Sequence, residues 1–226
     1  KDKRVRQALS YSIDRKLVTD QLYGGFAAPA SQLVAPFVLG YNPDLKPYPY
    51  DPNKAKGLLK EAGAEGFEFE LIWSAGRFPR IAETVEYLVD AWGKVGVKVK
   101  PVARDLAGWR EGLYGVATDK PRVDSIIVSH GNDLGDSGQT IGTYLICKGR
   151  TSHLCDDKVE KFFKDSSVAG YDERLKIIRQ LWSHVYDEQP AIPLFHQAWL
   201  IGVTSRLKWE PRADTVVQFK EMSLTE

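Results

Sequence analysis

The sequence predicts an α/β fold, in which helices and strands alternate along most of the chain. Several segments repeat apolar residues at helical spacing, and shorter apolar or alternating runs typical of strands lie between them. Glycine and proline residues mark most of the boundaries between these segments. The 226 residues are 43% hydrophobic and 27% charged, which is ordinary for a globular chain that buries a sizeable core.

The first quarter of the chain predicts one or two helices and then a long irregular segment. Apolar residues recur at helical spacing from Arg4 to Leu22, and Asp14 is placed to cap a second helix within that stretch. Gly24 and Gly25 end the pattern. Residues 26–50 contain five prolines, too many for an interior helix or a central strand, so we expect an ordered crossing over the surface.

The remainder predicts alternating elements. Asp51 and Pro52 form an N-cap followed by proline at the first helical position, and Gly63 ends that helix. Apolar residues alternate with glutamates from Phe67 to Trp73, which indicates a strand. The other predicted helices cover 81–95 and 105–114 and begin near 156 and 172, and the other predicted strands cover 97–102, 124–128, 194–203 and 216–222.

Charge and hydropathy disfavour two classes of partner. Lys and Arg total 31 against 30 Asp and Glu, and a net charge of +1 provides no broad attraction for nucleic acid or anionic membranes. No run approaches the roughly 20 apolar residues of a membrane span. The chain begins at Lys1 without Met, so we expect a fragment of a longer protein, whose lack of a targeting segment says nothing about compartment.

Catalytic signatures are absent from the sequence. It contains no Gly-x-Ser-x-Gly elbow, phosphate loop, dinucleotide fingerprint or His-Glu-x-x-His helix, and its four histidines are scattered. One enzymatic alternative stays open, because Asp133 and Asp136 lie close enough in one loop to serve as a paired-carboxylate hydrolase site.

That loop has a more specific meaning in an α/β fold. The predicted strand at 124–128 runs directly into His130, Asn132, Asp133 and Asp136. Ligands of α/β proteins gather at the carboxyl ends of strands, where loops present polar groups into a crevice. These four residues are therefore predicted to bind ligand.

Arg77 is the complementary candidate. It follows the strand that contains Trp73, after a turn at Gly76. A guanidinium at a strand end can pair with a ligand carboxylate through two parallel hydrogen bonds, which lysine cannot reproduce. Arg77 and Trp73 complete the predicted ligand-binding set, which contains no metal ligand.

Cys147 and Cys155 are eight positions apart with a glycine between them, which favours a local disulfide in an oxidising compartment. Two reduced thiols are the plain alternative. A metal site with His153 is a further alternative, although a tetrahedral site normally has four ligands.

Several segments resemble the C-terminal lobe of the family-5, or cluster C, extracytoplasmic solute-binding proteins, which include dipeptide, oligopeptide and nickel binders. Two long segments are specific, residues 2–15 (DKRVRQALSYSIDR) and 50–63 (YDPNKAKGLLKEAG). Shorter matches follow in the family's order at 24–30, 40–43, 95–99 and 188–194. Together they cover nearly the whole chain.

The resemblance implies a type II periplasmic-binding-protein-like lobe, a mixed sheet flanked by helices, which forms one half of a two-lobed clamshell. Residues 1–193 would form the ligand-binding lobe, and residues 194–226 would cross back to the other lobe. In similar dipeptide binders an arginine at the place of Arg77 holds the ligand carboxylate. An aspartate in the loop that contains Asp133 and Asp136 holds the ligand amine.

The family pattern is not complete here. Peptide binders often have tryptophan where this chain has Ser129-His130, and their Asp-Pro-Asp is replaced by Asp136-Ser137-Gly138. The expected ligand is therefore a peptide, an opine, a sugar or a metal chelate. A disulfide at the place of Cys147 and Cys155 also occurs in relatives, which supports export.

The function expected from the resemblance is solute capture for an ABC importer, without chemistry and without a cofactor. The expected partners are a small solute and the importer's membrane subunits, in a periplasmic or other extracytoplasmic compartment. Contact with a membrane would be only through the transporter or a lipid anchor outside this chain. A sensory or chaperone-like clamshell not coupled to transport is the alternative.

Overall fold

The computed structural model describes residues 2–114, 123–152, 155–212 and 216–225, and these form the predicted α/β arrangement. The helices are α1 (Lys3–Tyr11), α2 (Arg15–Leu17), α3 (Pro52–Glu61), α4 (Ile81–Gly93), α5 (Leu106–Tyr114), α6 (Ser137–Tyr144), α7 (Asp157–Val168) and α8 (Tyr171–Glu188). The strands are β1 (Ala27–Pro29), β2 (Glu68–Ser74), β3 (Lys98–Arg104), β4 (Ser125–Ile126), β5 (Phe195–Gln197), β6 (Leu207–Lys208) and β7 (Ser223–Leu224).

A three-stranded parallel sheet in the order β3-β2-β4 lies at the centre. β2 separates two apolar layers because successive side chains point to opposite faces. Phe69 and Leu71 belong to a cluster with α1, α3 and α4, whereas Ile72 packs against α5 on the other face. The indole of Trp92 on α4 donates to the Leu9 carbonyl at 3.0 Å, which joins α4 to α1 inside this core.

A second core is helical and lies among α6, α7, α8 and the proline-rich segment 33–45. Ile178, Leu181 and Trp182 of α8 are completely buried there, and the Trp182 indole donates to Ser137 Oγ at 3.2 Å. Gly40 has a φ of +86°, and a Cβ at this position would lie 2.7 Å from a methyl carbon of Ile178. The predicted irregular segment is therefore closely packed against α8 and does not merely cross the surface.

The chain leaves this body through a short antiparallel pair, β1 with β5. Just before β5, the Pro193 carbonyl accepts a 2.8 Å hydrogen bond from Arg15 Nε. Arg15 is 4% exposed and also donates to the Ser10 carbonyl and hydroxyl. Burial lowers the pKa of the Arg15 guanidinium to about 10, so it stays charged and fixes the point at which the chain departs.

Local signals located the helix starts correctly where a side chain caps the backbone. Asp51 accepts from the Lys54 N–H at 2.8 Å and Asp14 from the Leu17 N–H at 2.9 Å, so the first predicted helix divides into α1 and α2. A π-helical turn at Val18–Leu22 completes that stretch. The helix α6 was not predicted, because the Gly and Thr residues of Ser137–Tyr144 give only a weak apolar pattern.

The predicted strand at 194–203 was too long, and the predicted strand at 216–222 was wrong, because β7 lies just beyond it. Only Phe195–Gln197 of 194–203 forms a strand, and 216–222 contains a 3₁₀ turn at Phe219–Glu221 before β7. Both segments are apolar, but Trp199 is 62% and Phe219 82% exposed. A strand requires a neighbour to complete its hydrogen bonds, and these stretches find none within the described residues.

Candidate functional site

The candidate site lies at the carboxyl edge of the parallel sheet. Ile72 of β2 is in register with Ile126 of β4, and the Ile127 N–H donates to the Ile72 carbonyl at 2.9 Å. The chain continues from β2 into the turn that contains Arg77 and from β4 into the loop 129–136. Since parallel strands end at the same edge, this pairing directs both polar segments to one side of the lobe.

Arg77 is exposed and forms no ion pair with any residue that the structure describes. Its guanidinium carbon lies 4.8 Å from the centre of the Trp109 ring, within the range of a cation–π contact. Trp109 is 3% exposed, and its indole donates to the Ile127 carbonyl at 3.0 Å. One buried side chain of α5 thus supports the arginine after β2 and also holds the end of β4.

The side chain of Trp73 points to the opposite face of β2 from that of Ile72. Its ring is half-buried against the core formed by α1, α3 and α4. The indole Nε1 is buried and has no hydrogen-bond partner among the described residues. A buried N–H without a partner is costly, which makes Trp73 an unusual member of this core.

Thr140, a fully buried residue of α6, organises the loop 129–136. Its hydroxyl lies 2.8 Å from both His130 Nε2 and Asn132 Nδ2. Asn132 also donates to the Asp136 carbonyl at 2.8 Å and accepts from the Asp136 N–H at 3.0 Å. These contacts hold the loop in one conformation and leave few polar groups of Asn132 free.

His130 is half-buried, and its ring packs edge-on against Tyr144 with centroids 4.7 Å apart. Burial lowers the pKa of this imidazole below its ordinary value, and the nearby Asp133 carboxylate opposes the shift. His130 is therefore neutral at pH 7 and presents a hydrogen-bonding ring rather than a positive charge.

The two aspartates of the loop lie in different surroundings. Asp133 is exposed, and its carboxylate has no hydrogen bond or ion pair within the described residues. Asp136 forms a two-point ion pair with Arg174 of α8, with N–O distances of 2.9 and 2.7 Å, and it caps α6 through the Gly138 N–H at 2.7 Å. Burial works against the ionised form of Asp136, but these donors outweigh it and lower its pKa.

Cys147 and Cys155 form the predicted disulfide, so neither sulfur is a free thiolate for a metal. His153, the third residue of the metal alternative, lies outside the described residues. Within the ranges that the structure describes, no three histidine, cysteine or acidic side chains cluster as metal ligands. None of the helices in those ranges is both long and apolar enough to cross a bilayer.

Several residues that build the site gave no functional signal in the sequence. Trp109, Thr140 and Tyr144 all lie on helices, where they follow the ordinary pattern of inward-facing positions. Arg174 is 38 positions from Asp136, and only the fold brings the two together. Chemically, the edge presents a guanidinium and a carboxylate that have no ion-pair partner within the described residues, together with a neutral imidazole, which suits reversible binding of a polar solute.

Comparisons with known proteins agree on one family. Residues 1–152 match the model of the bacterial extracellular solute-binding proteins, family 5 Middle. Heme-binding protein A of Haemophilus influenzae is 27% identical over 220 residues, which cover 91% of this chain and 38% of that protein. The dipeptide-binding protein of Escherichia coli is 28% identical over 218 residues, which cover 92% of this chain and 40% of that protein.

The structure of HbpA2 from Haemophilus parasuis superposes with a TM-score of 0.82 at 26% identity, covering 99% of this chain and 45% of that one. The chain thus spans about two fifths of the length of the curated relatives that it matches. The fold and the relatives agree.

Proposed function

Because this chain belongs to the bacterial extracellular solute-binding proteins of family 5, we propose that it is one lobe of a clamshell that captures a small solute for an ABC importer. Capture is reversible and involves no covalent chemistry. The ligand contacts both lobes, so it favours the closed state over the open one, and closure follows from that difference in affinity. The relatives described above are named as binding proteins, which supports this choice over a hydrolase.

One observation supports the proposal most directly. Two side chains of opposite charge, Arg77 and Asp133, follow neighbouring strand ends and have no ion-pair partner among the described residues. Unpaired charges at one edge are poised for a ligand with complementary charges. A peptide-like solute with a carboxylate and an amine fits this pair, whereas a neutral sugar leaves both charges unused.

The site residues have distinct proposed roles. Arg77 binds the ligand carboxylate, Asp133 binds the amine, and His130 and Asn132 add neutral hydrogen bonds. Trp73, with its unpartnered N–H, borders the same edge. Asp136 is proposed to position the loop rather than to touch the ligand, because Arg174 occupies both of its oxygens.

The C-terminal segment is proposed to belong with the other lobe, with the boundary at residue 193. β5 pairs with β1, while large apolar side chains beyond it are exposed. Trp199, Leu200 and Val203 are 62%, 65% and 51% exposed. A surface of this kind is normally covered by another domain or partner, and the missing lobe is the occupant that the clamshell provides.

The same proposal places the protein outside the cytoplasm. The disulfide between Cys147 and Cys155 supports this location, since such bonds persist mainly in oxidising compartments. Its partners there are the solute and the membrane subunits of the importer.

Native mass spectrometry of the full polypeptide, purified from its own host, tests the function. The expected result is a copurified small molecule whose mass identifies the solute class. Arg77→Ala is expected to lose that molecule, because removing one side of a desolvated charge pair costs about 2 kcal/mol or more. Arg179→Ala, which removes an exposed arginine on α8, is the matched control and should retain the molecule.

A protein that arrives without ligand and stays unchanged in peptide, opine, sugar and metal-chelate pools would contradict solute capture. Loss of the ligand in both arginine variants would instead show that Arg77 has no particular role.

A further inference from the structure

The helix α5 has an arginine stacked on each of two aromatic rings. Arg77 lies over Trp109 at 4.8 Å, and Arg150 lies over Tyr114 at 4.5 Å. Both guanidinium groups are exposed, and neither has a carboxylate partner within the described residues. Stacking on an aromatic ring orders a guanidinium while its N–H groups remain free for an anion.

The position of Arg150 is determined by its neighbours in the loop that begins at the disulfide residue Cys147, described here as residues 147–152. The N–H and hydroxyl of Thr151 both donate to the Thr143 carbonyl at the end of α6, at 3.1 and 3.0 Å. Gly149 packs against the same carbonyl so closely that a Cβ there would lie 2.8 Å from it. The loop is therefore held against α6, and Arg150 is presented from a fixed backbone.

Two aromatic contacts relate this arginine to the candidate site. Tyr144, the last residue of α6, contacts His130 edge-on, with centroids 4.7 Å apart. Burial raises the pKa of Tyr144, and an electrostatic interaction with Tyr114 adds to the shift. Ring contacts thus place Arg150 on Tyr114 of α5 and His130 against Tyr144 of α6.

We infer that Arg150 is a second anion-binding residue of this site, and that the preferred solutes have two separated anionic groups. The inference rests on the proposed function, since Arg77 binds the first carboxylate. Trp109 and Tyr114 are five positions apart on α5, which separates their Cα atoms by about 7.5 Å along the helix axis. Two guanidinium groups that stack on rings of one helix, and have no ion-pair partner within the described residues, complement a solute such as a peptide with an acidic side chain.

Calorimetric titration of the full polypeptide with two dipeptides, Ala-Glu and Ala-Gln, tests the inference. The two ligands are nearly identical in shape and differ in one charge. The wild type is expected to bind Ala-Glu about tenfold more tightly, equivalent to about 1.4 kcal/mol. Arg150→Gln should lose this preference and keep its affinity for Ala-Gln. Lys148→Gln, which removes an exposed charge from the same loop, should keep the preference.

A second measurement separates this inference from the proposed function. Thermal melts in glutarate, with two carboxylates, and in butyrate, with one, report anion binding without a peptide. Glutarate should stabilise the wild type more than butyrate does, and Arg150→Gln should abolish the difference. If dipeptides fail to bind but this glutarate effect is seen, peptide capture is wrong and the role of Arg150 stands.

If dipeptides bind and Arg150→Gln leaves the preference for Ala-Glu intact, the inference is wrong and solute capture stands. If dipeptides do not bind and glutarate stabilises both proteins equally, peptide capture and the role of Arg150 are both wrong.

Discussion

Asp133 and Asp136 are three positions apart, and we predict that replacing each by asparagine has opposite consequences. Asp136→Asn should reduce stability and change ligand affinity little. Asp133→Asn should leave stability unchanged and weaken ligand binding. The prediction follows from their partners, because Asp136 is paired with Arg174 and Asp133 has no partner within the described residues.

The magnitude for Asp136 follows from its exposure and geometry. Its side chain is 28% exposed and that of Arg174 is 24% exposed, and the pair has two hydrogen bonds. Fully exposed ion pairs contribute about 0.2–1 kcal/mol, whereas breaking a buried pair costs about 3–5 kcal/mol. An intermediate loss of about 1.5 kcal/mol is expected for Asp136→Asn. Asparagine is an equally good N-cap, so the start of α6 should be preserved.

Urea unfolding of the single variants and of the double variant with Arg174→Gln isolates the pair. The unfolding free energies of the two single variants and the double variant should give a coupling free energy of about 1.5 kcal/mol between Asp136 and Arg174. The pKa of Asp136 is lowered in the folded state, so this stabilisation is present above its unfolded value of 3.8 and is lost as the pH falls through the folded value.

Titration calorimetry on the full polypeptide tests the predicted effects on ligand binding. Asp133→Asn should weaken binding of the copurified solute at least about tenfold, whereas Asp136→Asn should change it by less than about threefold. If Asp136→Asn abolishes binding with an unchanged urea midpoint, its carboxylate faces the ligand and the reasoning from its partners is refuted.

Three further predictions concern the frame of the site. Gly40→Ala should cost about 3 kcal/mol in urea unfolding, because the new Cβ would lie 2.7 Å from a methyl carbon on α8 at a φ of +86°. Gly24→Ala, at a φ of +57° with no atom within 4 Å, should cost about 1 kcal/mol, and equal losses would contradict the packing argument. Replacing Cys147 and Cys155 by serine should cost about 2.5 kcal/mol, as expected for a loop of this length, and an unchanged midpoint would show that the loop is held by its other contacts. Because burial lowers the pKa of His130, the unfolded state binds a proton first on acidification, so stability should fall as the pH drops below about 6.5, and His130→Gln should reduce that slope.

Much of the architecture was predictable because its determinants are local in sequence. The α/β alternation, the caps at Asp14 and Asp51 and the dense prolines of 26–50 depend on a residue and its near neighbours. The strand that contains Trp73 and the disulfide between Cys147 and Cys155 were predictable for the same reason. The polar segments after β2 and β4 could be placed at one edge once a parallel sheet was expected, although their role as ligand contacts is still a prediction.

The sequence by itself therefore determined the fold class, the family and the two polar segments, since capping, periodicity and motif order depend on residues that are close in sequence. Only the tertiary structure decided which of those polar groups are free. Asp136 and Asp133 look alike in sequence, but Arg174 approaches one of them from 38 positions away. Likewise, Trp109 under Arg77 and the short extent of β5 depend on which segments meet in space. Pairing between distant residues is a property of the packed chain, and no local pattern records it.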